Sequence, residues 1–119
     1  MSALRRCLLA DGSLLLAQVS HAANFVTRLK GLLGRDSLDE DEGILIEPCH
    51  SVHTLGMRFE IAVVFLAWDN SVLHVIDCMR PGRLSPVVSG ARRVLELHPD
   101  RLARHPLQRG DQLRFEPVS

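Results

Sequence analysis

The chain has 119 residues, enough for one domain that buries its own core without metal or disulfide staples. Fourteen Lys and Arg balance fourteen Asp and Glu, so there is no global field to recruit nucleic acid or an acidic membrane, and neither is expected as a partner. Three cysteines, Cys7, Cys49 and Cys78, are odd in number and form no C-x-x-C pair, which points to reduced thiols and a cytoplasmic location rather than a disulfide framework.

The apolar runs LRRCLLA and LLLAQV flank DGS, a turn signal, and read as an N-terminal hairpin. Asp11 and Gly12 break the leucines too early for a secretory signal, and no run approaches the eighteen or so apolar residues of a membrane span. In SHAANFVTRLKGLLGR, Phe25, Leu29, Leu32 and Leu33 recur at helical spacing. Ser20 or Asn24 is available as the N-cap of that helix and Gly34 as its terminator. The acidic DSLDEDEG that follows reads as a solvated loop.

GILIE is the next strand, ended by Pro48. IAVVFLAW is apolar at every alternation, as a central strand buried on both faces would be. The dipeptide Asp69-Asn70 turns it into SVLHVIDC, its hairpin partner. ARRVLELH is a further strand, with Leu95 and Leu97 on one face and Val94 and Glu96 on the other. PDRLARHP holds one short helical turn, and DQLRFEP closes the chain as a last strand. About seven strands and one good helix define a β-rich α+β fold in a single domain over residues 1–119. Its expected form is a compact antiparallel sheet or partly closed barrel, with the helix packed across it.

Most of the chemistry lies in CHSVHTLGMRF, residues 49–59. Cys49, His50 and His53 share one face only if this stretch is helical; extended, Cys49 and His53 stand about 13 Å apart. Ser51, Val52, Thr54 and Gly56 are poor helix formers and no fourth ligand follows at a recognisable spacing, so no metal and no cofactor is expected. The same stretch leads into the central strand, and loops at the end of a rigid strand commonly carry function. Arg58 offers a fork of donors suited to a carboxylate or phosphate, and Met57 an adaptable apolar contact. Arg58 paired with a carboxylate such as Glu60 or Glu96, merely sealing an edge, is the competing reading.

These motifs resemble a widespread bacterial and archaeal family, domain of unknown function 192. Arg28 to Arg35 is similar to its helix motif, Gly43 to Ile46 to its next strand, and Val52 to Phe59 to its central signature. Phe65-Leu66, Val94 to Leu97 and Gly110 to Leu113 are similar to the later motifs, so the resemblance runs in order along nearly the whole chain. It implies a compact β-rich domain whose biochemical role is itself unassigned. The family usually carries proline at the place of Glu60 and aspartate at the place of Ala62. Glu60, two residues earlier on the same strand face, is the residue available to stand in for that aspartate.

The expected function is a non-catalytic binding module whose groove is built from His53, Thr54, Met57, Arg58 and Glu96. The expected ligand is a small anion or a peptide end. One alternative is a small hydrolase or transferase with His53 as general base and Glu96 as its orienter. Another is a structural protein that docks on a partner through its helix or a sheet edge.

Overall fold

The computed structural model describes residues 4–23, 32 and 34–118. Seven strands form one sheet: β1 (Arg5–Leu8), β2 (Leu14–Ala22), β3 (Glu42–Ile46), β4 (Ile61–Leu66), β5 (Val72–Met79), β6 (Arg93–Leu97) and β7 (Arg114–Pro117). Their order across the sheet is β5-β4-β6-β3-β2-β1-β7. A short helix, α1 (Pro99–Arg104), packs against β4 and β5.

The α+β class and the seven strands agree with the sequence. The all-antiparallel arrangement does not: β2 and β3 run parallel, with Gln18 opposite Glu42 and Ala22 opposite Ile46, so the sheet is mixed. A parallel neighbour requires a crossover connection and not a tight turn, and β2 ends at Ala22 whereas β3 begins at Glu42. Nor does the sheet close into a barrel. Its outer strands meet at one corner only, where Ser71 bridges Gln112 and the Val72 amide donates to the Asp111 carbonyl (2.8 Å).

The expected N-terminal hairpin is β1–β2, but β2 runs on through Ser20, which is therefore a strand residue and not a helix cap. Asn24, Phe25, Arg28, Leu29 and Leu33 of the expected main helix lie outside the described residues. At its end, Leu32 is buried, Gly34 has φ +83° and the Arg35 amide donates to the Leu32 carbonyl. A side chain at Gly34 would be strained at that φ. The DSLDEDEG segment is exposed except for buried Leu38 and, already in β3, half-buried Glu42 and buried Gly43.

β4 lies inside the sheet between β5 and β6, and all six of its residues are buried, which explains its unbroken apolar sequence. Ile61, Val63 and Phe65 point into one apolar cluster with Leu32, Leu38, Ile44, Val52, Met57 and Val94. Ala62, Val64 and Leu66 point into a second with Leu15, Leu16, Leu95, Leu97, Leu113 and Leu102 of α1. Asn70 makes the turn into β5 at φ 69°, a conformation asparagine tolerates better than most residues. α1 begins at His98, whose Nδ1 accepts the Asp100 amide (3.0 Å), with Pro99 in the first helical turn.

Candidate functional site

The stretch from Pro48 to Phe59 runs alongside residues 80–92 as an irregular ribbon. The Cys49 amide donates to the Arg92 carbonyl, Val88 to His50, Ser85 to Val52 and Gly82 to Thr54, each at 2.9–3.0 Å. His53 bridges Leu84, and the Val52 amide donates to the Ser85 hydroxyl (2.8 Å). Val52 and Thr54 face inward and are buried, while Leu55 is exposed, as the alternation of an extended ribbon requires.

This geometry assigns different roles to the five residues expected to form a groove. Thr54 is fully buried, and its hydroxyl donates to the Arg80 carbonyl (2.6 Å) and accepts the Arg83 amide (2.9 Å), fastening the 80–83 loop. Met57 closes the turn after Thr54, its amide donating to the Thr54 carbonyl, and its side chain enters the first apolar cluster. Glu96 is fully buried on β6 and faces the same cluster, with Ile44 and Val63 as its cross-strand neighbours. His53 is half-buried on the ribbon. Arg58 is exposed and lies 3.7 Å from Asp36, itself exposed. Met57 and Glu96 thus share one cluster, whereas Arg58 points away to the acidic loop.

Glu60 lies on the same strand face as Ala62. It lines a cavity of about 290 Å³ with Asp36, Ser37, Leu38, Phe59, His98, Pro99 and Asp100. Its Oε2 accepts the Cys78 thiol at 3.0 Å. That hydrogen bond, with a little burial and the charge of Glu60, pushes the Cys78 thiol up, against the opposing pull of Arg80. Ala62 is fully buried opposite Leu97 in the second apolar cluster. None of the three cysteines is in a disulfide. Burial raises the Cys7 thiol to about 12. Among the described residues, no group of three or more His, Cys, Asp or Glu is arranged to hold a metal ion.

A cavity of about 400 Å³ opens at the start of the ribbon, lined by Pro48, Cys49, His50, Ser51, Ala91 and Arg92. That volume lies within the range of small-molecule sites. Its backbone is fixed on both sides, since the Arg92 amide donates to the Leu66 carbonyl and the Arg92 carbonyl accepts the Cys49 amide. The Cys49 thiol donates to the Ser51 carbonyl (3.0 Å) and is buried. His50 and Arg92 are exposed, and neither side chain has a partner among the described residues. No carboxylate lines this cavity, whereas the cavity beside Glu60 carries Asp36, Glu60 and Asp100.

Arg92 was not legible as a site residue in the sequence. Its signal is the pair Arg92-Arg93, which alternation sends to opposite faces. Arg93 turns to Glu47 (3.1 Å) and Asn70 (2.7 Å), leaving Arg92 to the cavity.

A mixed seven-stranded sheet, two apolar clusters and a polar stretch leading into β4, which is second from the edge and not central, define a small α+β domain of a recurrent architecture. The chain belongs to the uncharacterised family described as domain of unknown function 192, whose model matches residues 7–115. No protein of curated function matches it. It is similar in fold to a proposed transcription regulator from Sinorhizobium meliloti, with a TM-score of 0.74 at 21% identity over 97% of this chain and 94% of that one. A protein of unknown function from Novosphingobium aromaticivorans is similar at a TM-score of 0.73 and 18% identity, over 93% of this chain and 83% of that one.

Proposed function

We propose that this protein is a non-catalytic cytoplasmic binding module that takes a small carboxylate, or the carboxylate end of a peptide, in the cavity between Pro48–Ser51 and Ala91–Arg92. One observation carries the reading. Arg92 presents an uncommitted guanidinium from a fixed backbone at the rim of a partly apolar cavity that has no carboxylate of its own. An arginine fork matches a carboxylate, and apolar walls take the rest of the ligand. His50 supplies a second donor. The cavity beside Glu60 favours an anion far less, because Asp36, Glu60 and Asp100 line it and no arginine does.

Binding is preferred to catalysis because the Cys49 thiol at this site is buried and donates to the Ser51 carbonyl. The exposed thiol of Cys78 supports a reducing compartment. The regulator role proposed for the Sinorhizobium protein is not adopted. At 21% identity the likeness carries the fold alone.

Titration calorimetry with benzoate and hexanoate, set against their neutral amides, tests the reading. The carboxylates bind and the amides do not, and Arg92→Ala weakens binding about tenfold or more, since a charge-assisted contact is worth roughly 1.5–3 kcal/mol. Equal binding of amides and acids, or binding indifferent to Arg92, removes the anion from the account.

A further inference from the structure

The balanced total charge conceals a segregated surface. Residues 48–59 and 79–95 contain no Asp or Glu at all, and they carry Arg58, Arg80, Arg83, Arg92 and Arg93. All but Arg93 are exposed, and Arg80 and Arg83 have no ion-pair partner among the described residues. Asp36, Asp39, Glu40, Asp41 and Glu42 lie in the 36–42 loop, and Glu60 and Asp100 beside α1. Among the described residues, the acids that reach these segments are Asp36, at Arg58, and Glu47, at Arg93. The hydrogen bonds that join the two segments hold this excess of cations in one lobe.

The same lobe exposes its largest aliphatic side chains. Leu55 is 51% exposed, Leu84 75% and Val87 69%, while Val52 and Thr54 behind them are buried. The backbone bonds set these three along one ribbon: Thr54 pairs with Gly82 and Arg83, His53 with Leu84, and His50 with Val88. An exposed apolar patch with a cationic rim and no acid marks a binding surface for an anionic partner with an apolar layer.

We propose that residues 50–55 and 82–88 dock the protein on an anionic membrane surface, with Leu55, Leu84 and Val87 entering the headgroup layer and Arg80, Arg83 and Arg92 meeting lipid phosphates. Charge complementarity selects an anionic occupant. Three features then select lipid. The patch has no Phe, Tyr or Trp on which bases would stack, which disfavours single-stranded nucleic acid. It has neither the Trp nor the Tyr that anchors protein interfaces. Aliphatic side chains on a ribbon bearing prolines and glycines fit a fluid apolar layer that needs no matching shape. Arginine is also the cation best matched to phosphate oxygens. The binding is peripheral, since no described helix is long and apolar enough to cross a membrane. This surface adjoins the carboxylate cavity and shares His50, Ser51 and Arg92 with it, but Leu55, Arg80, Arg83, Leu84 and Val87 do not line that cavity, so variants at these positions test the surface separately.

Sedimentation of the full chain with vesicles of phosphatidylcholine alone, and of phosphatidylcholine mixed with phosphatidylglycerol, tests the proposal. The protein pellets with the mixed vesicles only, and added salt releases it. Each of Arg80→Ala and Arg83→Ala weakens the partition about fivefold, the contribution expected of one basic residue near an anionic surface. Leu84→Gln weakens it by roughly tenfold, because a leucine is no longer buried. All three side chains are exposed, and unchanged melting midpoints verify that the variants fold. Absence of pelleting overturns the proposal, as does pelleting that survives Arg80→Glu with Arg83→Glu. Pelleting indifferent to Leu84→Gln means adsorption by charge alone and also overturns it. Capture by polyglutamate or single-stranded DNA with no vesicle binding assigns the lobe to another anionic macromolecule.

Discussion

Cys78 and Glu60 show how a single contact sets reactivity. The exposed thiol donates to the Glu60 carboxylate at 3.0 Å, and the hydrogen bond holds its pKa above the ordinary thiol value. A raised pKa leaves less thiolate at any given pH, and thiolate is the nucleophile. Alkylation of native protein by iodoacetamide just above neutral pH, followed by mass spectrometry, will therefore be slow at Cys78 and faster in Glu60→Gln. Cys7, buried and raised to about 12, will stay unmodified in both proteins until they are denatured. An unchanged Cys78 rate in Glu60→Gln would remove the contact as its cause. At this scale the sequence was partly legible. Glu60 on the face of Ala62 follows from strand alternation. Its engagement by Cys78, eighteen positions away across the β4–β5 hairpin, depends on register and could not be read.

The ribbon and strands carry the next level of the account. Thr54 stitches residues 80–83 to the central stretch, so its hydroxyl is part of the scaffold. Thr54→Val keeps the shape but leaves the Arg80 carbonyl and Arg83 amide each short of one part-buried hydrogen bond, and will destabilise by about 1–3 kcal/mol in urea denaturation. Arg58→Ala will lower stability by about 1 kcal/mol or less, since its pairing with Asp36 is exposed and long. A severe loss on removing Arg58 would make it a structural residue and contradict the exposed pairing. Gly43 is held to glycine for another reason. A Cβ there would stand 2.6 Å from Leu16 Cδ1, in a fully buried side chain, and 3.1 Å from the Glu96 carbonyl oxygen.

All seven strands, the short helical turn and the buried centre of β4 were legible, because period-two alternation and turn residues specify them locally. The parallel pairing of β2 with β3 was not. Alternation carries no strand direction, and SHA of β2 reads equally as the approach to a helix.

At the scale of the whole molecule, the decisive feature is where the charges go. A count of fourteen against fourteen excludes a global field, yet the fold brings Arg58, Arg80, Arg83, Arg92 and Arg93 together in one lobe whose segments contain no acid, while Asp36 to Glu42 cluster in one loop. Sequence order alone does not reveal this, because the acid-free segments 48–59 and 79–95 are separated by β4 and β5 and meet only through the ribbon's hydrogen bonds. The carboxylate cavity arises in the same way. Pro48–Ser51 and Ala91–Arg92 are about forty residues apart in the chain, and the Cys49–Arg92 backbone contact brings them together.

The central claim is that this cavity holds a carboxylate, and amide NMR of the full chain titrated with benzoate tests it most directly. The account predicts shift changes concentrated at Cys49, His50, Ser51, Ala91 and Arg92, absent with benzamide and lost in Arg92→Ala. Shift changes centred instead on Glu60, Asp100 and Arg58, or equal responses to benzoate and benzamide, would contradict it.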